Sequence, residues 1–209
     1  MNRRSFLHIS LGLAVSGILK AAVMPIGPQS PMGQRWRAFV SNPVREVQNC
    51  EFWCWAASIS MIFKAHGHNL SQDEIVRRSF NSSTAFCVTG SSSLVGNSLS
   101  RSWVDSNNVL FTSQVIAAYD IYNQLYAINN MIIISELANN RPLLYANMHH
   151  AMVIVSAEYI MTQMGPTIQS VWVLDPWPAS PAFHALTVSE MLPAHLGGEM
   201  TFLAAVQTT

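Results

Sequence analysis

From Cys54 to Phe63 the chain runs ten residues without a charge, Cys54-Trp55-Ala56-Ala57-Ser58-Ile59-Ser60-Met61-Ile62-Phe63, before the turn signal at Gly67. Apolar residues fall on nearly every side of a helical wheel, so a helix here has no face to offer water and must be threaded through a core. The pattern predicts a helix from Cys54 to about His66 with Gly67 as its left-handed cap. Cys54 then opens that helix. A helix N-terminus presents unpaired N–H groups and a partial positive charge, which favour thiolate over thiol. Gln48, six residues upstream, is close enough to fold back and aim its NH2 beside the Cys54 N–H, the donor pair that acyl-transfer chemistry needs for an oxyanion. An isolated cysteine is more often just a small buried residue, so the remainder of the chain has to supply its partners.

A cysteine nucleophile needs a base and a third group to orient that base. Of seven histidines, His8 lies near the N-terminus, His66 and His68 flank a helix end, and His184 and His195 sit among turn residues. His149 and His150 stand at the mouth of a strong strand pattern, Ala151-Met152-Val153-Ile154-Val155. The next such pattern ends in Leu174-Asp175-Pro176-Trp177. An antiparallel hairpin with His150 opposite Asp175 centres its turn between Thr162 and Gln163, inside the connection where Gly165-Pro166 supplies a break. Opposed residues have Cβ atoms about 4.5–5.5 Å apart, so the carboxylate can accept the imidazole N–H and raise its basicity. His149, one residue earlier, faces the other side of such a sheet.

Gln48 followed after five residues by Cys54-Trp55-Ala56-Ala57-Ser58 resembles the papain-like cysteine peptidases, in particular a short bacterial branch whose nucleophile motif reads Cys-Trp-Ala-Ala. The resemblance implies Cys54 as nucleophile, Gln48 as oxyanion donor, and a base and orienting group, here His150 and Asp175, later in the chain. It implies an N-terminal helical half packed against a C-terminal antiparallel β-sheet, with the active-site cleft between them. It also implies that Cys50 pairs with Cys87 and leaves Cys54 free, whereas the cysteine count alone leaves all three pairings open. The chain departs from the family pattern in two places: His149 precedes the base where Gly is common, and Asp175 stands where plant papains carry Asn.

The remaining patterns give the same α+β expectation, with helices first and strands later. Ser71-Gln72-Asp73-Glu74 is a capping box that starts a helix running to about Ser79. Val95, Leu99 and Trp103 recur at i, i+4 and i+8 and predict a helix from Leu94 to Ser106. A strand is expected from Val109 to Ala118 and a short helix from Asn130 to Ala138. The period then changes toward two, predicting strands at Leu143–Asn147, Ala151–Tyr159, Ile168–Leu174, Ala185–Val188 and Met200–Val206.

Ahead of all this, Met1 to Leu7 is a short basic head and Ile9 to Leu19 an apolar segment too short to span a bilayer comfortably. Arg3-Arg4-Ser5-Phe6-Leu7 resembles a twin-arginine export signal. The expected organisation is therefore an export signal or N-terminal anchor over 1–24, a Pro-rich linker over 25–35, and a catalytic domain over 36–209, in a periplasmic or secreted protein. At 209 residues, 11% charged and with zero formal net charge, the chain carries no basic footprint for nucleic acid. No cofactor or metal is called for. The expected partner is a peptide or protein substrate of a monomer that meets membrane only through its leader. Other readings of the same residues are a transglutaminase-like acyl transferase, a catalytically silent peptide-binding domain, and a zinc site built from Cys50, Cys54, His149 and His150.

Overall fold

The computed structural model describes residues 22–30 and 33–209. The expected export signal lies outside the described residues except for its last three positions. In chain order the elements are β1 (Val23–Ser30), β2 (Gly33–Phe39), α1 (Cys54–Ala65), α2 (Gln72–Ser79), α3 (Ser92–Ser98), β3 (Ser102–Val104), β4 (Leu110–Asp120), β5 (Leu125–Tyr126) and α4 (Asn130–Ala138). There follow β6 (Leu143–Ala146), β7 (Ala151–Thr162), β8 (Gly165–Leu174), β9 (Phe183–Ala185), α5 (Val188–Met191) and β10 (Phe202–Thr208). The ten strands join in one antiparallel sheet.

This layout corrects the expected division into a helical N-terminal half and a sheet-bearing C-terminal half. β1 and β2 precede the helix that carries Cys54, and β2 pairs with β7, Trp36 opposite Tyr159. β3 and β4 fall between helices, and β4 runs beside β10, the last strand of the chain. The sheet is thus assembled from both ends of the sequence, and the helices cover it. Of the stretch 25–35, expected as a linker, residues 25–30 form most of β1 and residues 33–35 the start of β2, with Pro25 opposite Trp36. β1 is an outer strand, where a proline whose nitrogen faces away from the neighbouring strand removes no ladder hydrogen bond.

The predicted third helix also stops early. The Ser98 hydroxyl bonds back to Leu94 O at 2.8 Å, a local bond that competes with helix continuation. The chain then turns, and Trp103 enters the core from β3, opposite Phe111 of β4 and fully buried. Apolar spacing of four is satisfied equally by one helix or by a helix, a turn and a strand that reach the same core.

α1 is the buried helix its composition demands: Trp55 to Phe63 are all buried. Its end is closed by a Schellman arrangement, Gly67 N–H to Lys64 O at 3.0 Å and His68 N–H to Phe63 O at 2.9 Å, with Gly67 at φ +88°. It packs on β6 and β7. Successive side chains of β6 alternate between faces: Leu144 and Ala146 border the cleft beside Cys54, while Tyr145 points into a second cavity shared with α4. β7 carries β8 along one edge, and its other edge is shared by β6 at the start and β2 at the end. That arrangement brings the mouth of β7, with His150 just before it, up to the N-terminus of α1. Among the described residues no helix is long and apolar enough to cross a membrane.

Candidate active site

Cys54 is the first residue of α1, half-buried and unbridged. Trp53 precedes it as N-cap, and no side chain caps the helix, so the first-turn N–H groups are left to whatever occupies the space beside Cys54. The turn into the helix is closed by Trp53 N–H to Cys50 O at 3.0 Å. Cys50 is bonded to Cys87 with Cα atoms 5.9 Å apart. The residues on either side of Cys87 are laid over the two indoles of the motif: Trp53 Nε1 donates to Phe86 O at 2.9 Å and Trp55 Nε1 to Val88 O at 3.2 Å. Gly90 lies so close to Trp55 that an added Cβ would meet the indole Cγ at 2.7 Å. Trp55 and Gly90 therefore line one wall of the cleft, and the disulfide and the Trp53 indole hold that wall from behind.

The candidate base comes from the other side. The Asn147 Oδ1 accepts the N–H groups of His149 and His150, at 2.9 and 2.8 Å, and Asn147 N–H donates to His150 O at 3.0 Å. This Asx-type turn leaves His149 exposed and turns the His150 ring inward. His150 Nε2 lies 2.6 Å from Asp175 Oδ1, and the same oxygen accepts Trp177 N–H at 2.7 Å. Of the two histidines, it is His150 whose ring meets the carboxylate. Burial pulls the His150 pKa down, but hydrogen bonds to Asp175 and Cys54 and the charges of both outweigh it and raise the value to about 9. With Nε2 given to Asp175, Nδ1 is the nitrogen left for the sulfur. Burial works against the Asp175 carboxylate, 3% exposed. Its hydrogen bonds to His150 and to the Trp177 N–H nevertheless hold its pKa below the ordinary value.

The hairpin register differs from the predicted one. Val153 stands opposite Leu174 rather than Trp172, and the loop is Gln163-Met164 between the paired Thr162 and Gly165. The Thr162 hydroxyl closes that loop, donating to Gly165 O at 2.7 Å and accepting Met164 N–H at 3.2 Å, with Gly165 at φ +106°. His150 and Asp175 consequently meet diagonally, across positions displaced by two, a separation that long side chains still bridge.

Gln48 is placed otherwise than expected. It is buried, its Nε2 donates to Cys50 O at 2.9 Å and to Glu51 O at 2.7 Å, and it is absent from the cleft lining. Both amide hydrogens brace the turn into α1 and neither is directed at the cleft. The zinc reading fails on chemistry, because the Cys50 sulfur is tied to Cys87 and offers no thiolate. Asn147 and the Trp177 N–H were missed by sequence reasoning. An Asn placed to open a turn three residues before a candidate histidine is the signal that could have found the first.

Cys54 and His150 open on a cleft of about 760 Å³, within the range of small-molecule and peptide sites. Its floor is apolar, with Trp55, Leu144 and Phe202, while Thr89 and Ser91 to Ser93 add hydroxyls. Phe52, Tyr122 and Met148 stand exposed at the rim. Glu51 is the one lining side chain with a formal charge besides the two histidines. A thiol, a buried carboxylate–imidazole pair and open helix N–H groups beside an apolar trough can perform nucleophilic attack on a carbonyl with acid–base assistance. No known family model matches the chain, and no curated protein matches it.

Proposed function

We propose that the protein is a cysteine peptidase that hydrolyses peptide bonds through Cys54, His150 and Asp175. The observation that carries the reading is that one imidazole, held 2.6 Å from a buried carboxylate, and the unbridged cysteine line the same open cleft. The Cys54 Sγ attacks the substrate carbonyl carbon as its proton resides on His150 Nδ1, and the oxyanion that forms faces the N–H groups that open α1, beginning with that of Cys54. His150 passes the proton to the leaving amine, the C–N bond breaks, and a thioester remains on Cys54. His150 then takes a proton from water, whose oxygen displaces the sulfur to give the carboxylic acid. Asp175 keeps the ring oriented and stabilises its charged form. Gln48 braces the turn that presents Cys54, so the oxyanion is assigned to the helix terminus.

The likeness of the Cys54-Trp55-Ala56-Ala57 motif to papain-like peptidases supports this chemistry, although the sheet is not confined to the C-terminal half as that likeness implies. The Cys50–Cys87 bridge is of the kind that persists in an oxidising compartment, and with the basic-then-apolar leader it supports export. The apolar floor and rim, with little charge, suit an extended uncharged peptide segment. The test is incubation of the chain and of Cys54→Ala with an unfolded protein substrate, followed by mass analysis of products. New amine and carboxyl termini that depend on Cys54 support the reading. Products joined to an added primary amine instead identify an acyl transferase, and no Cys54-dependent product overturns both.

A further inference from the structure

Asp175 leaves the end of β8 in an Asp-Pro-Trp loop, and its carboxylate direction depends on how that loop is held. Three successive carbonyl oxygens of the loop are taken by one short segment preceding the nucleophile. Arg45 Nε donates to Asp175 O at 2.6 Å, Gln48 N–H to Pro176 O at 3.0 Å, and Arg45 Nη2 to Trp177 O at 2.7 Å. The side chain of Gln48 meanwhile holds the carbonyls of Cys50 and Glu51 on the way into α1. Residues 45–48 therefore join the loop that carries the carboxylate to the turn that carries the thiol.

The fork of Arg45 is what spans the two outer carbonyls. A guanidinium offers two N–H donors in a fixed plane, whereas an ammonium offers a single point. The Trp177 N–H belongs to the peptide of Pro176, whose oxygen the Gln48 N–H holds; Arg45 fixes the peptides on either side of it, and that N–H in turn holds Asp175 Oδ1 at 2.7 Å, the oxygen that faces His150. The linkage runs from Arg45 through two carbonyls, one N–H and one carboxylate oxygen to the imidazole.

We propose that Arg45 is a positioning residue, whose guanidinium clamps the Asp175-Pro176-Trp177 loop so that the carboxylate meets His150 Nε2. Its significance for catalysis rests on the peptidase reading, but the clamp stands on geometry alone. The groups that interact with the His150 ring are Asp175 and Cys54, and the cleft lining adds His149 and Glu51; all four are left unaltered by the variants.

The experiment compares the full chain with Arg45→Gln and Arg45→Lys. His150 is followed by proton NMR as a function of pH, and Cys54-dependent peptide cleavage is measured as kcat and KM. In Arg45→Gln the His150 titration moves down by about one pH unit or more as its carboxylate contact loosens, and kcat falls while KM holds. Arg45→Lys, with one donor point, gives a smaller downward shift. An unchanged His150 titration in a folded Arg45→Gln overturns the proposal, even if that variant is less stable. Should Arg45→Gln not fold, an unchanged titration in Arg45→Lys overturns it equally. A shifted titration in a chain that cleaves no peptide keeps the clamp and removes the peptidase reading, and cleavage with an unshifted titration does the reverse.

Discussion

His150 Nε2 lies 2.6 Å from Asp175 Oδ1, and that oxygen simultaneously accepts the Trp177 N–H. The contact joins a partly buried ring to a carboxylate that is almost wholly shielded from water. Such a pair strengthens when its two members carry opposite charges and weakens when either is neutralised.

Stability should follow those charges. His150 titrates at about 9 against an ordinary 6.5, so the stabilisation from its charged form is fully present below pH 6.5 and is lost as pH rises through 9. Asp175, held below its ordinary 3.8, contributes above that value and loses its contribution as pH falls through its lower folded one. Urea unfolding at pH 6 and at pH 9.5 should show the wild-type chain losing up to roughly 3 kcal/mol on the alkaline side. Asp175→Asn should show a much smaller difference between the two pH values.

The disulfide is open to counting. Thiol titration in denaturant should find one reactive sulfur, that of Cys54, and three after reduction. Because the bridge spans 37 residues, reducing it should cost at most about 4 kcal/mol by loop entropy. The effect should reach the cleft, since the residues flanking Cys87 hold the indoles of Trp53 and Trp55.

Gly90 tests that wall from the other side. Its added Cβ would fall 2.7 Å from the Trp55 ring, and the ring is buried and hydrogen-bonded to Val88 O. Gly90→Ala should destabilise by about 1–3 kcal/mol through overpacking, read as a lower urea midpoint, and should slow the reaction of Cys54 with a bulky cysteine probe more than with a small one.

Asn147 holds the backbone of His150 through one oxygen that accepts two N–H groups. Asn147→Ala removes that acceptor, and misplacing a catalytic group by about 1 Å can cost on the order of 100-fold. The measurement is kcat/KM for peptide cleavage, with far-UV circular dichroism confirming an intact sheet. Asn147→Asp, which keeps the acceptor, should retain more activity than Asn147→Ala.

The placement of single residues was more legible than the fold. A charge-free helix opening on cysteine and a glycine to end it are local signals, and Cys54 and Gly67 lie at the two ends of α1; His150 and Asp175 do flank adjoining strands, but displaced by two from the predicted register, because the two-residue turn at Gln163-Met164 sets the pairing. The bounds of α4, Asn130–Ala138, are likewise set locally, with Asn129 accepting Ile132 N–H at the cap. The sheet was misread because its order depends on pairings remote in sequence. Nothing near Trp36 says that it will lie beside Tyr159, and the prolines of β1 read as breaks until the strand is known to be an outer one. Trp103 fits a helical stripe until Phe111 is seen across from it. Gln48 was misplaced because spacing fixes reach and not direction, and two loop carbonyls claim its amide.

The proposed cleavage turns on the sulfur of Cys54 sharing a proton with the ring of His150. Its most direct test is the rate of Cys54 alkylation by iodoacetamide from pH 4 to 10 in the wild-type chain and in His150→Gln. The expected result is that replacing the imidazole lowers the rate and changes its dependence on pH, because the ring that assists the sulfur is gone. Identical profiles in the two chains would contradict it.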